Sequence, residues 1–354
     1  MSNSGFGFGG FLVGLGIGWY LFKFIDFSLD LVSYFLIFLG IVIILGGLLR
    51  SGSREHPISS MLGGVIGGLI LATFLTQGFG FIFSLTDNFS DFGGYRASDT
   101  FTLNTPVTED SIALNITSIN GGIEVTSWNS DFIEFEIEVK AKGSTQSEAE
   151  DNIDRFEHEL SSNIIAGVQE ISLSFPITNR NWNLYSVSID AYIPSGSTVS
   201  YMLETTNGLV TLNEIVGDTI IVKTTNGAIK LNTIKAELID AQSTNGIIEG
   251  IIDTKQSDLR TTNGAIEITL SKSSGSHIFT TTNGIIDLNL PSGSEVGYKF
   301  DLDTSIGLID VNLSNIDYIV NEVRSKKGET SGYSTKTVQI EITAKTSIGG
   351  IELH

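Results

Sequence analysis

The chain of 354 residues contains no cysteine, only five prolines, and 20 basic residues against 40 acidic ones. The absence of cysteine excludes disulfide bonds, thiol catalysis and Cys-ligated metals. The shortage of Lys and Arg disfavours nucleic-acid binding, because a phosphate backbone requires clustered positive charge. The sequence has four histidines, all far apart, and no His-Glu-x-x-His, nucleophile-elbow or P-loop motif. We therefore predict that the protein is not an enzyme.

The excess negative charge is confined to the part of the chain after residue 85. Before that point three acidic residues balance three basic ones. The same region contains three long uncharged apolar stretches, and about 20 apolar residues suffice to cross a bilayer. We predict that residues 1–86 form three transmembrane helices, at about 6–22, 31–49 and 61–85.

The basic residues between these helices predict the orientation of the chain in the membrane. The second predicted loop carries Arg50 and Arg54, whereas the first has Lys23 beside two aspartates. The positive-inside rule places the Arg-containing loop in the cytoplasm and everything after residue 85 outside. We therefore expect a multi-pass protein of the cell membrane with an extracytoplasmic C-terminal domain.

Glycines at four-residue spacing on the first and third predicted helices allow close approach of another helix in lipid. We therefore expect the lipid bilayer as a partner and a helix–helix partner as a further one. These glycines are Gly10, Gly14, Gly18, Gly63, Gly64, Gly67 and Gly68.

After residue 200 the phrase Thr-Thr-Asn-Gly returns, each time followed by an apolar–polar–apolar strand pattern. The Asn residues are separated by 19, 19, 18 and 20 residues, and a fixed period of this length is typical of stacked repeats. Alternation with period two indicates strands with one buried face. The Asn residues are Asn207, Asn226, Asn245, Asn263 and Asn283, and the glycines are Gly208, Gly227, Gly246, Gly264 and Gly284.

The Asn-Gly pair tolerates positive φ, which a tight corner requires. One interpretation is that each pair marks an unrelated antiparallel hairpin. The constant period instead favours parallel strands in register, roughly 4.8 Å apart, with the Asn side chains stacked as an amide ladder. The predicted fold class is all-β: a parallel β-solenoid or β-roll of about 19-residue coils.

The predicted domain organisation continues from the membrane region with a linker at 87–97 and an N-terminal β region at 98–200. The repeat β-solenoid then occupies 201–354. A helix is predicted at 145–160, with Ser147 and Glu150 spaced as a capping box. This helix would cover strand edges at one end of the repeats.

The polar position of the repeat strands becomes acidic in the C-terminal copies. Stacking in register would place like charges within roughly 5 Å of one another, which costs free energy unless the charges are bridged. A divalent cation such as calcium, which binds several carboxylate oxygens, would relieve that cost. The favoured interpretation is a solvated acidic face that needs no ion, and no cofactor is otherwise expected. The candidate metal ligands are Glu249, Glu267, Asp287 and Asp310.

The repeated Thr-Thr-Asn-Gly phrases, with an early Ser-Ile-Asn-Gly-Gly-Ile copy at 118–123, resemble the putative-adhesin family of prokaryotic β-strand-repeat domains. The resemblance covers roughly residues 98–354. It implies a β-strand-repeat fold and brings no catalytic residues. Two copies depart from the pattern, with Ile306 and Ile348 in place of Asn.

The apolar region 11–49, with its run Gly-Ile-Val-Ile-Ile-Leu at 40–45, is similar to the membrane region of Lia-type envelope-stress proteins. The third predicted helix departs from that pattern. This second resemblance implies a regulatory role through a partner in the same membrane.

Together these features predict a membrane-anchored cell-envelope protein that displays a non-catalytic extracytoplasmic β-solenoid for adhesion or surface recognition. Its expected external partner is a cell-surface polymer or an envelope protein. The alternative is an envelope-stress sensor or regulator that acts through a membrane partner.

Overall fold

The structure is a computed structural model that describes residues 95–176 and 182–354. These residues belong to one of two units of the chain, Gly94–His354. The three predicted transmembrane helices, their glycine faces and most of the predicted linker lie outside the described residues. No helix among the described residues has the length and apolar character needed to cross a membrane.

The described residues are mostly strand, with one α-helix, so the prediction of a β-rich fold is confirmed. All 21 described strands join one sheet, and β1 begins at Tyr95, within the linker expected at 87–97. The helix α1 is Gln146–Asp154, and short 3-10 turns lie at Trp182–Leu184 and Tyr333–Thr335. The strands are β1 (Tyr95–Pro106), β2 (Ser111–Thr117), β3 (Ile123–Trp128), β4 (Phe132–Gly143), β5 (Glu159–Ile165), β6 (Val168–Ser174), β7 (Tyr185–Pro194), β8 (Thr198–Thr205), β9 (Val210–Asn213), β10 (Thr219–Thr224), β11 (Ile229–Asn245), β12 (Ile248–Asn263), β13 (Ile266–Leu270), β14 (Gly275–Asn283), β15 (Ile286–Asn289), β16 (Val296–Ile306), β17 (Ile309–Val311), β18 (Ile316–Asn321), β19 (Ser325–Thr330), β20 (Val338–Ile348) and β21 (Ile351–Leu353).

Successive repeats pair with one another in parallel and in register. The strands that precede the Asn-Gly pairs lie side by side, in the order β8, β10, the end of β11, the end of β12 and β14. The strands that follow the pairs do the same, in the order β9, the start of β11, the start of β12, β13 and β15. The Asn-Gly pairs are therefore corners between parallel strands, not the tips of separate antiparallel hairpins.

The sheet as a whole is mixed, so the expectation of a purely parallel sheet is wrong. Antiparallel pairs occur between β1 and β4, β4 and β7, β5 and β6, β16 and β19, and β18 and β19. A stack of parallel strands ends with unpaired N–H and C=O groups at its edges. Antiparallel neighbours satisfy these groups. Of the five pairs, β5–β6 and β18–β19 are hairpins with short connections.

The spatial order of the repeats differs from their order in the sequence. Strands β20 and β21, the last of the chain, lie between β14–β15 on one side and β16–β17 on the other. At the other end β2 and β3 pair directly with β8 and β9. The C-terminal repeat therefore separates two repeats that are consecutive in sequence.

The helix is shorter than predicted, because the end of the expected segment, from Glu159, belongs to a hairpin. It ends at Asp154, and β5 pairs with β6 so that Leu160 faces Leu173. Its N-cap is Thr145, whose Oγ1 accepts a hydrogen bond from the Glu148 backbone N–H at 3.1 Å. The capping box predicted at Ser147 and Glu150 is therefore wrong by two residues.

The inward side chains of both sets of repeat strands belong to one hydrophobic core. Each repeat contributes at least one buried residue before its corner and at least one after it, and their alignment follows from the register of the strands. These residues are Leu203, Val222, Ala241, Leu259 and Phe279 before the corners, and Val210, Ile229, Ile248, Ile266 and Ile286 after them.

Glycine is required at these corners because the backbones of neighbouring repeats approach each other closely. A Cβ atom on Gly246 would lie 1.9 Å from the carbonyl oxygen of Gly227, and the other four repeat glycines have equivalent contacts of 1.8–2.0 Å. None of the five has φ in the left-handed region. The expectation that Asn-Gly supplies positive φ at these corners is therefore wrong, because it is space that excludes a side chain.

We predict that Gly246→Ala lowers the free energy of unfolding by about 1–3 kcal/mol, because the added methyl must displace the Gly227 backbone. Gly196→Ala is the matched control, since a Cβ there has no atom within 4 Å. Urea unfolding measures both variants. Equal stability of the two would contradict the close approach.

One polar pair interrupts the apolar core. Ser257 Oγ lies 2.9 Å from His277 Nδ1, and each residue is only 3% exposed. Their neighbours in the same inward row are Ile239 and Ile342. Burial lowers the pKa of His277 to about 4, because the charged imidazole loses its hydration.

This buried imidazole predicts a loss of stability in acid. The unfolded chain takes up a proton on His277 near pH 6.5, whereas the folded chain does so only near pH 4. Above pH 6.5 the imidazole is neutral in both states and costs no stability. As the pH falls from 6.5 towards 4 the free energy of unfolding decreases, and by pH 5 the loss is about 2 kcal/mol. The double variant Ser257→Val, His277→Ile should lose this part of the pH dependence in urea unfolding. An unchanged pH profile would contradict the prediction.

Candidate functional site: the corner and its outward rows

The Asn side chains of the repeats form a continuous chain of amide hydrogen bonds at the corners. Each Nδ2 donates to the Oδ1 of the Asn in the preceding repeat. The donor–acceptor distances are 2.7 Å for Asn226 to Asn207 and 2.8 Å for Asn245 to Asn226, Asn263 to Asn245 and Asn283 to Asn263.

Asn120 extends this chain by one member, since Asn207 Nδ2 donates to Asn120 Oδ1. The early Ser-Ile-Asn-Gly copy was the signal for it in the sequence. At the other end Asn283 pairs with Ile348, which pairs with Ile306. These two isoleucines are more than half exposed and cannot continue the amide bonds.

The two Thr positions of the phrase have different roles. The first hydroxyl is buried and donates to a Gly carbonyl of the neighbouring repeat, as Thr261 Oγ1 does to Gly246 O at 2.9 Å. The second position is exposed in every copy from Thr206 onward, whereas in the early copy it is Ile119, which is half-buried. We call this second set the hydroxyl row: Thr206, Thr225, Thr244, Thr262, Thr282, Ser347 and Ser305.

We predict that Asn245→Ala lowers the free energy of unfolding by about 1–2 kcal/mol, because Asn245 both donates to Asn226 and accepts from Asn263. The terminal variant Asn283→Ala loses only its donated bond to Asn263, so we expect about half that effect. Chemical unfolding of both variants measures the difference. A larger effect at position 283 would contradict cooperative amide bonding.

The acidic positions form a row on the strands that follow the corners. Glu249 pairs with Glu267, and Glu267 pairs with Asp287. The structure separates Asp287 from Asp310, because Glu352 of β21 lies between them. The expectation that these four residues adjoin one another is therefore corrected: we define the acidic row as Glu249, Glu267, Asp287, Glu352 and Asp310.

The side chains that neighbour the acidic row differ along its length. Lys230 Nζ lies 3.0 Å from Glu249 Oε1 at one end. Burial raises the pKa of Glu267, and the neighbouring charges of Glu249 and Asp287 raise it further. Further along, His354 Nε2 lies 3.4 Å from Asp287 Oδ1. Glu267 therefore lies between two like charges, on a partly buried side chain.

We predict that Glu267→Gln raises the free energy of unfolding at pH 7 by about 0.2–1 kcal/mol, because it removes repulsion between directly opposed charges. The raised pKa means that the folded protein binds a proton on Glu267 at a higher pH than the unfolded chain does. The advantage of the variant therefore disappears as the pH falls through that pKa and the wild-type carboxyl becomes neutral.

Thermal or urea unfolding at several pH values measures this effect. The control is Glu322→Gln, an exposed residue in the turn between β18 and β19, outside the acidic row. A destabilised Glu267→Gln variant at pH 7 would show that repulsion in the row is not the dominant interaction.

No family model matches the chain, and no curated protein matches it. The chain is similar to a putative cell adhesion protein from Clostridium sporogenes, with 13% identity, a TM-score of 0.35, and coverage of 72% of this chain and 99% of that one. A putative adhesin from Bacteroides fragilis has 14% identity, a TM-score of 0.36, and coverage of 72% and 97%. A putative lipid binding protein from Parabacteroides distasonis has 14% identity, a TM-score of 0.23, and coverage of 72% and 96%. These TM-scores are all below 0.5, so the similarities carry no conclusion about the function of this chain.

Proposed function

We propose that this protein is a membrane-anchored cell-envelope protein whose β-solenoid lies outside the membrane and serves adhesion or surface recognition without catalysis. The observation that carries the proposal is the hydroxyl row. Its members are exposed in every repeat, and they come from strands paired in register. Such an array recurs at the spacing of strands, about 4.8 Å.

A regular array of hydroxyls favours a repetitive partner. A polymer with hydroxyl or amide groups along its length can bond to several rows of the array at once, so that individually weak contacts add up. The buried first Thr of each phrase anchors the corner, and the exposed second Thr is held in place on rigid strands. A cell-surface polysaccharide is the partner class that this arrangement supports best.

The membrane anchor and the extracytoplasmic location are supported by the sequence of residues 1–86, with its three uncharged apolar stretches and its Arg-containing loop. The solenoid is supported by the parallel pairing of the repeats in register. A non-catalytic role is supported by the burial of Ser257 and His277, since a nucleophile–base pair sealed in the core cannot meet a substrate.

Calcium remains part of this proposal as a bridge between neighbouring carboxylates of the acidic row. The direct pairing of Glu267 with Asp287 supports it, because a cation between the two would relieve the repulsion that, after burial, raises the pKa of Glu267. A surface polymer that carries anionic groups could then be held through the same ion.

The experiment measures binding of the full chain, reconstituted in lipid nanodiscs, to intact cells and to isolated envelope polysaccharide of the source organism. We compare the wild type with a triple variant, Thr225→Val, Thr244→Val and Thr262→Val. Valine keeps the shape and the strand preference and removes only the hydroxyls. The expected result is saturable binding by the wild type and binding at least about tenfold weaker in the variant.

The matched control is the double variant Thr280→Val, Thr343→Val, which removes outward hydroxyls from β14 and β20 outside the hydroxyl row. It should bind as the wild type does. Loss of binding in chelator would support the calcium bridge. Absence of binding to every surface fraction would overturn the adhesion proposal and favour the envelope-stress regulator, whose partner lies in its own membrane.

A further inference from the structure

The C-terminal repeat brings one imidazole to the acidic row. Glu352 on β21 pairs with Asp287 on β15, and His354 follows β21 directly. The His354 backbone N–H donates to Leu288 O at 3.0 Å, and its carbonyl accepts from the Leu290 N–H at 2.9 Å. These two bonds extend the strand pairing as far as His354 and hold its ring beside the two carboxylates.

The three side chains converge with the geometry of metal ligands. His354 Nε2 lies 3.4 Å from Asp287 Oδ1 and 3.4 Å from Glu352 Oε2. All three ligand atoms lie within 4.8 Å of one another. Two ligands bound to one tetrahedral ion at bond lengths of 2.0–2.1 Å are about 3.4 Å apart, so the imidazole already has the required separation from each carboxylate.

A second observation concerns the Asp287 carboxylate. The Asp287 side chain is 38% exposed as a whole, but its Oδ1 atom is sealed from solvent and accepts no hydrogen bond from the described residues. A carboxylate oxygen without water or a donor costs free energy, and a bound cation would relieve that cost. The oxygen faces His354 Nε2, the nitrogen that would share the ion with it.

We propose that Asp287, Glu352 and His354 form a binding site for a divalent transition-metal ion such as Zn²⁺. The ligand chemistry selects this class, because Ca²⁺ takes oxygen ligands whereas an imidazole nitrogen suits zinc and its neighbours in the first transition row. Three protein ligands leave a fourth position for water or for a donor group of a partner. The site does not depend on the proposed adhesion function.

The test is isothermal titration of the full chain with Zn²⁺ as the probe, at pH 7 and with any purification tag removed. The expected result is saturable binding of one ion per chain. His354→Gln and Asp287→Asn should each weaken binding at least about tenfold. Thermal unfolding with and without Zn²⁺ gives a second readout, since a bound ion stabilises the folded state of the wild type and not that of the variants.

The matched control is Asp310→Asn, which removes one charge from the position paired with Glu352 but leaves the three ligands in place. It should bind Zn²⁺ within about threefold of the wild type. Equal weakening by Asp310→Asn and Asp287→Asn would overturn the site in favour of diffuse charge attraction. The site would also be overturned by wild-type affinity in His354→Gln. Absence of saturable binding would overturn it as well and would leave His354 as a simple neighbour of the two carboxylates.

Discussion

The close approach of one Asn-Gly corner to the next is the constraint on which the rest of the structure depends. A Cβ on any repeat glycine would overlap the carbonyl oxygen of the neighbouring repeat at 1.8–2.0 Å. The same carbonyls accept the buried Thr or Ser hydroxyls, and the Asn amides bond to one another beside them. Three interactions of different kinds therefore fix the alignment of each repeat on its neighbour.

This alignment determines both faces of the strands at once. A slip of one residue would exchange every inward side chain for an outward one. In register, Leu259 lies beside Phe279 in the core, and Thr262 lies in the exposed hydroxyl row. The core and the outward rows thus have one common cause, and the surface is as regular as the packing beneath it.

Stacking the repeats in register costs free energy wherever the repeated side chain is charged or is polar and buried. The acidic row places Glu267 between two carboxylates, and its raised pKa reflects that repulsion together with burial. In the core, the Ser257–His277 pair occupies positions where the neighbouring strands of the same row have isoleucine, and it makes stability depend on pH. At the C-terminal repeat His354 reaches the acidic row, and this is where we propose that a metal ion compensates the charge.

The sequence by itself determined the repeat, its strands, the alternation of inward and outward residues, and the Asn positions, because all of these follow from a local period. The tertiary structure alone decided which repeats touch. It placed Ile348 beside Asn283 and Glu352 beside Asp287, and it ended the helix at Asp154 so that β5 could pair with β6. A period specifies how a repeat stacks but not the neighbour it stacks on. That choice depends on which exposed strand edges remain to be paired, and these edges exist only in the folded chain.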